Sequence, residues 1–305
     1  MRASRLAIAF LVAVIVASAC GGSGGGSPSG AAKPNVTIGS TNFSEQLILG
    51  ELYAQILEAN GYTVTRKFNL GNREIVFPAL TSAQIDLEAD YLATLLAFVN
   101  KNATGSTDPK ATSSALQKEL DAKNLTVLDF APAVDQNGFV VTKATADKYK
   151  LTKLSDLAAV AGQLVLGGPP ECPTRPYCQA GLKSTYNINF KDFKALDTGG
   201  PLTVAALKGG QVDVGLLFTS DSTIAVNNFV LLEDDKHLQL SDNIAPVVRN
   251  DLLAKAPSDF KSIINSIAPK LTTAELTAMN KQNDVDKTDP KAIAAAWLKK
   301  MGLVK

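Results

Sequence analysis

The chain has 305 residues, 46% of them hydrophobic and 19% charged, enough for an ordinary globular core and too apolar for a disordered tail. Thirty basic residues against twenty-nine acidic give a formal charge of +1, leaving no cationic excess to neutralise a phosphate backbone and disfavouring a nucleic-acid partner. One histidine, His237, and three cysteines are too few for a zinc centre or a Ser-His-Asp triad, so no metal and no cofactor are expected.

The N-terminus reads as an export signal. Arg2 and Arg5 precede an unbroken apolar run from Leu6 to Ala17, followed by Ser18, Ala19 and Cys20. The run is too short to span a bilayer and ends at small residues, as a cleaved signal does. A cysteine directly after Ala17-Ser18-Ala19 resembles the bacterial lipobox, in which that cysteine becomes the lipidated N-terminus. Residues 1–19 are therefore expected to be a lipoprotein signal peptide and 20–34 a flexible tether, since Gly21 to Gly30 are almost entirely Gly, Ser and Pro. Loss of residues 1–19 removes Arg2 and Arg5, so the mature balance becomes formally −1. The expected location is the outer face of the cell membrane, held there by lipid.

From residue 35 onward, short apolar strands alternate with amphipathic helical stretches, which predicts an α/β fold. Val36, Ile38 and Gly39 read as a strand ending at a glycine. Glu45 to Asn60 reads as a helix with Leu47, Ile48, Leu52, Ile56 and Leu57 on one face, stopped at Gly61. Tyr62 to Leu70 alternates like a second strand. Further along, Cys172 and Cys178 flank a five-residue loop, and in an exported chain such a pair is expected to form a disulfide. Trp297, with Ile293, reads as core packing on a C-terminal helix.

The same order of events occurs twice. Val36 to Ser40 aligns with Leu164 to Gly168 at an offset of 128, and Asn69-Leu70-Gly71 aligns with Asp197-Thr198-Gly199 at the same offset. Ala79-Leu80 with Gln84-Ile85-Asp86-Leu87 then matches Ala206-Leu207 with Gln211-Val212-Asp213-Val214 at 127. Three anchors in register predict two similar α/β lobes, a clamshell that closes on a small ligand between strand ends.

Several blocks resemble a known family. Gly39-Ser40-Thr41-Asn42-Phe43-Ser44-Glu45-Gln46, Asp86 to Thr94, Phe218-Thr219-Ser220-Asp221, Leu232-Glu233-Asp234-Asp235-Lys236 and Ala245-Pro246-Val247-Val248-Arg249 are similar to osmoprotectant-binding proteins of ABC importers. The resemblance runs from about residue 35 to the C-terminus. It implies a type II periplasmic-binding-protein fold, two α/β lobes around a ligand cleft with two crossovers, here placed near Asn137 and Asn243. Residues 35–137 and 243–305 would form one lobe and 138–242 the other. It also implies a glycine betaine, choline or carnitine-like ligand and an ABC permease as partner. No phosphate-loop motif is present, so the ATPase is expected on another chain, and the binding protein is expected to be a monomer.

A quaternary ammonium has no hydrogen to donate, so such a pocket holds it against aromatic faces, while a carboxylate seeks guanidinium and hydroxyl donors. The resemblance assigns Tyr91 to the aromatic wall, Thr94 to a hydroxyl donor and Arg175, between the cysteines, to the main anion anchor. Thr41 stands where the family has a lysine, beside Asn42. Phe139 matches a tyrosine of the cage and keeps a ring; Phe218 would add another, next to Thr219. Asp242 stands where the family has a further tyrosine. With Asn137 it leaves the cage incomplete and keeps open a ligand bearing hydroxyls or amines, a polyol or a phenolic compound. An exported enzyme on the same fold would need an acid–base pair, for which Glu171 and Asp242 are the candidates.

Overall fold

The computed structural model describes residues 33–305. The expected signal peptide, residues 1–19, lies outside the described residues, as do Cys20 and most of the 20–34 tether.

The apolar strand segments assemble into two mixed five-stranded sheets. The first contains β1 (Val36–Gly39), β2 (Val64–Lys67), β3 (Leu87–Tyr91) and β4 (Leu125–Val127), together with β10 (Ile244–Arg249) from the far end of the chain, in the order β2-β1-β3-β10-β4. The second is built from β5 (Asn137–Thr142), β6 (Val165–Gly168), β7 (Asp192–Ala195), β8 (Val214–Phe218) and β9 (Phe229–Leu231), in the order β7-β6-β8-β5-β9. In each sheet the first three strands run parallel, and a returning strand, β10 or β5, pairs antiparallel with the third. Apolar clusters cover both faces of both sheets, so each lobe is a helix–sheet–helix sandwich. The fold is the two-lobed periplasmic-binding arrangement expected from the sequence.

The internal repeat is visible at the level of single hydrogen bonds. Asp86 accepts from the Thr37 amide at 2.9 Å, and Asp213 accepts from the Val165 amide at 2.9 Å. The backbone of each aspartate returns the bond, Asp86 N to Thr37 O at 2.7 Å and Asp213 N to Val165 O at 2.9 Å. The turn after the short helix also recurs, with Gln84 N donating to Ala79 O and Gln211 N to Ala206 O. Asp86 thereby clamps β1 to β3, and Asp213 clamps β6 to β8 in the same way.

Between the sheets the chain crosses twice. Val134 and Asn243 form an antiparallel bridge, Asp135 N donates to Asp242 O at 3.1 Å and Ile244 N donates to Ala133 O at 3.2 Å. The two crossing segments therefore lie side by side. After β10 the C-terminal helices, including Thr273–Asp284 and Pro290–Lys300, pack on the first lobe, where Trp297 is buried and donates its indole N–H to Glu275 at 3.0 Å.

A disulfide joins Cys172 and Cys178, whose Cα atoms are 5.2 Å apart. The loop it closes lies directly on the helix Gln179–Tyr186. A Cβ added at Gly181 would stand 1.8 Å from the Pro176 carbonyl oxygen, so only glycine fits beneath the loop. Gly181→Ala should destabilise the protein by about 1–3 kcal/mol, as overpacking does, and lower its melting temperature by several degrees. Gly162→Ala, where an added Cβ meets nothing within 4 Å, should leave the melt unchanged. Equal melting temperatures for the two variants would contradict this account.

Candidate functional site

A cavity of about 390 Å³ opens where the two lobes meet beside the crossing segments. Its position follows from the fold. Strand β3 ends at Tyr91 and runs directly into the helix Leu92–Val99, so Tyr91 and Thr94 sit at the cavity edge of the first lobe. The turn after β1 brings Thr41, Asn42 and Phe43 to the same place, just before the helix Ser44–Ala59. From the second lobe come Asn137 at the start of β5, Phe218 at the end of β8, and the disulfide loop with Arg175 and Tyr177.

Aromatic rings dominate one side. Phe43 lies 6.4 Å from Tyr91 with their planes 21° apart, and 5.0 Å from Phe218. Tyr91 is held from behind: its hydroxyl donates to Glu45 Oε1 at 2.5 Å and accepts from Gln46 Nε2 at 3.2 Å. Glu45 itself takes two more donors on Oε2, Ser220 Oγ at 2.8 Å and Asn280 Nδ2 at 2.7 Å. Burial raises the Glu45 carboxyl above its ordinary value, and these donors partly offset that shift.

Charged groups complete the lining. Arg73 is buried and forks onto Asp90, with Nε 3.0 Å from Oδ2 and Nη2 2.5 Å from Oδ1. Burial disfavours its charge, but the Asp90 carboxylate more than restores it, so the guanidinium stays protonated. Arg73 also donates to Thr94 Oγ1 at 2.9 Å. Asp242 lies on the second crossing and accepts the Thr94 amide at 2.8 Å, satisfying one of the open N–H groups at the start of the helix Leu92–Val99. Asp135, on the first crossing, accepts the Ser220 amide at 2.9 Å.

Eight of the ten residues expected to bind ligand line this cavity: Thr41, Asn42, Tyr91, Thr94, Asn137, Arg175, Phe218 and Asp242. Phe139 does not. It lies two residues further along β5, about 7 Å deeper at strand spacing, where it is 1% exposed in the second-lobe core. Thr219 is also diverted: its hydroxyl accepts the Gln136 amide at 2.9 Å and so ties β8 to the first crossing. Arg175 reaches the cavity already engaged, with Nη2 2.8 Å from Glu74 Oε2 across the cleft and 3.4 Å from Glu171 Oε1. Both members of the drafted acid–base pair, Glu171 and Asp242, therefore have partners of their own.

Phe43, Gln46, Arg73, Asp135 and Tyr177 were not singled out from sequence, although Phe43 and Gln46 fall within a quoted block. Tyr177 lies within the cysteine-flanked loop, and Arg73 follows a turn that the repeat had marked. Among the described residues no cluster of histidine, cysteine or acidic side chains is arranged to hold a metal ion.

Two α/β lobes, crossed twice and enclosing an aromatic and charged cavity at the crossing, define a two-lobed solute-binding protein. The model of the substrate-binding domain of ABC-type glycine betaine transport systems matches residues 34–300, and the chain belongs to that family. It is 27% identical over 278 residues to the carnitine transport binding protein OpuCC of Listeria monocytogenes, covering 89% of this chain and 88% of that one. It is also 27% identical over 278 residues to the glycine-betaine-binding protein of Pseudomonas aeruginosa, covering 88% of each. A solved structure described as a glycine betaine/carnitine/choline ABC transporter superposes with a TM-score of 0.69 at 29% identity, covering 88% of this chain and 99% of its own.

The buried carboxyls predict a pH dependence. Burial pushes Asp242 up from 3.8 to about 7, opposed in part by the Thr94 amide and Arg73. Glu45, Glu88 and Asp135 are raised as well, each first by burial. In the unfolded chain these groups ionise near pH 4, whereas the folded protein still holds the proton, so stability is greatest at the acid end of this window and falls as pH rises towards 7. Calorimetry should give a melting temperature a few degrees higher at pH 5 than at pH 8. Asp242→Asn should narrow the gap, mainly by raising the melt at pH 8. A wild-type melt higher at pH 8 would refute this reading.

Proposed function

We propose that the chain is the extracytoplasmic solute-binding component of an ABC importer, capturing a small quaternary ammonium osmoprotectant and presenting it to a permease. The single observation that carries this reading is the aromatic wall, with Phe43, Tyr91 and Phe218 grouped at one cavity and Tyr91 held by its hydroxyl so that its ring is fixed. Ring faces attract an alkylated ammonium at about 0.5–2 kcal/mol each, and the neighbouring carboxylates favour a cation. The relatives' names, which specify carnitine and glycine betaine, agree with that chemistry.

A ligand carboxylate would lie towards the cavity mouth. There Lys101 is the cationic lining residue outside the ion pairs of the described residues, whereas Arg73 and Arg175 already meet carboxylates. The two rigid bodies are residues 35–137 with 243–305, and 138–242. They move about the crossings, the protein acts as a monomer, and the permease and its ATPase are separate chains. The role is binding without turnover, because Glu171 and Asp242 act as structural acceptors.

Attachment to the outer face of the membrane would come from a lipidated Cys20. Among the described residues no helix is long and apolar enough to cross a membrane. Cys20→Ala should move the protein from the membrane fraction to the soluble one, since a Gly/Ser-rich tether contributes no anchoring of its own. Retention of the variant on membranes after a high-salt wash would overturn the lipoprotein assignment.

Ligand binding is testable by thermal shift. A ligand at a hundred times its dissociation constant stabilises the folded form by about 2.7 kcal/mol, a rise of roughly 5–10 °C for a protein of this size. Glycine betaine, choline or carnitine should produce it. Phe43→Leu and Phe218→Leu, which keep apolar volume but remove a ring face, should each weaken binding by about 2- to 30-fold. A normally folded protein whose melt responds to no quaternary ammonium would refute the proposal.

A further inference from the structure

Arg73 and Arg175 both line the cavity and both meet a carboxylate, but the two ion pairs are not equally committed. The side chains of Arg73 and Asp90 are 9% and 7% exposed, so parting them would strand a buried charge. Those of Arg175 and Glu74 are 27% and 41% exposed, and a pair so open to water is weak and exchanges readily. Arg175 is therefore the guanidinium of this cavity that an incoming anion can reach. Its backbone is fixed within the disulfide loop, where its N–H donates to Cys172 O at 3.3 Å and its carbonyl accepts from Cys178 N at 3.1 Å. Glu74 comes from the other lobe, in the first turn of the helix Arg73–Thr81, and lays both carboxylate oxygens on Arg175 Nη2, at 2.9 and 2.8 Å. Burial and then the nearby Arg73 cation disfavour the charge on Arg175, while Glu74 and Glu171 support it.

A ligand carboxylate that arrives at Arg175 must displace Glu74 or sit beside it, and in either case the first carboxylate opposes the second. We propose that Glu74 is a specificity-determining residue: it occupies Arg175 as an internal carboxylate and so penalises ligands that carry a carboxylate of their own, relative to ligands that carry only the cation. The inference rests on the quaternary-ammonium reading above and deepens it. The aromatic faces hold the cationic head of either kind of ligand, and Glu74 sets how well the other end is received. While Glu74 keeps its place, Lys101 is the lining cation left for a ligand carboxylate. The cavity thus discriminates through a repulsive element as well as an attractive one.

Isothermal titration calorimetry on the full chain tests this with glycine betaine, which carries a carboxylate, and choline, which does not. Glu74→Gln removes the charge and keeps both the length of the side chain and an acceptor for Arg175, with Glu171 Oε1 still 3.4 Å from Nη2. Glycine betaine should bind the variant about two- to fivefold more tightly than it binds the wild type, the size of an exposed charge interaction. Choline should bind it no more tightly. A contact that only clasped the lobes together would act on both ligands alike, so a parallel change in the two affinities, in either direction, would overturn the inference. Glycine betaine bound no more tightly by the variant would overturn it as well, and both results leave the quaternary-ammonium reading standing. Binding of neither ligand, to wild type or variant, would overturn both. If Glu74→Gln fails to fold, Glu74→Ala, which removes the carboxylate altogether, should give the same gain for glycine betaine alone and decides in its place.

Discussion

Two short backbone segments, residues 133–136 and 242–244, are what the rest of the molecule hangs on. They run antiparallel between the sheets and hydrogen-bond to each other. Their side chains then tie one crossing to each lobe: Asp242 accepts from Thr94 in the first lobe, and Asp135 accepts from Ser220 in the second. The floor of the cavity is therefore made of the connection itself. Any ligand that reaches the floor touches the groups about which the lobes are joined.

Placing carboxyls at such a point has an electrostatic consequence. Asp135, Asp242 and Glu45 are buried, and Asp90 is neutralised by a buried guanidinium. Burial pushes the unpaired acids towards their neutral forms, while an approaching cation favours their ionised forms. Ligand charge and wall protonation are thus linked at this cavity. The aromatic rings need no such adjustment, and Tyr91 keeps its place through a hydroxyl turned away from the ligand space towards Glu45.

Much of the architecture was legible because repetition leaves a mark on sequence. The aspartates at 86 and 213 occupy matched turns and make the same two hydrogen bonds, and the cysteines at 172 and 178 sit at a spacing that a tight loop allows. Composition separated a binding role from most hydrolase chemistry. The site was less legible, for a physical reason: Phe43, Arg73, Asp135 and Tyr177 come from four separate segments and meet only after both sheets have formed. Phe139 illustrates the opposite error. A ring beside a crossover looked like a cage wall, but a strand buried on both faces carries it past the cavity into the core. Arg175 lines the cavity, but its ion pair with Glu74 was not foreseen, because nothing in the sequence links it to a residue 101 positions away.

The placement of β10 bears on the order in which the molecule can be assembled. This strand sits inside the first sheet, between β3 and β4, yet it is made after every strand of the second. A growing chain that stops short of Ile244 leaves β3 with an open edge and β4 without a neighbour in the sheet, whereas β5 to β9 can complete their pairing once Leu231 has emerged. The lobe that begins first is the one that must finish last. Closing it brings together residues more than a hundred positions apart, the kind of long-range pairing that slows folding and prolongs exposure of unpaired strand edges. The middle of the sequence is the natural early-folding unit, and the two ends wait for each other.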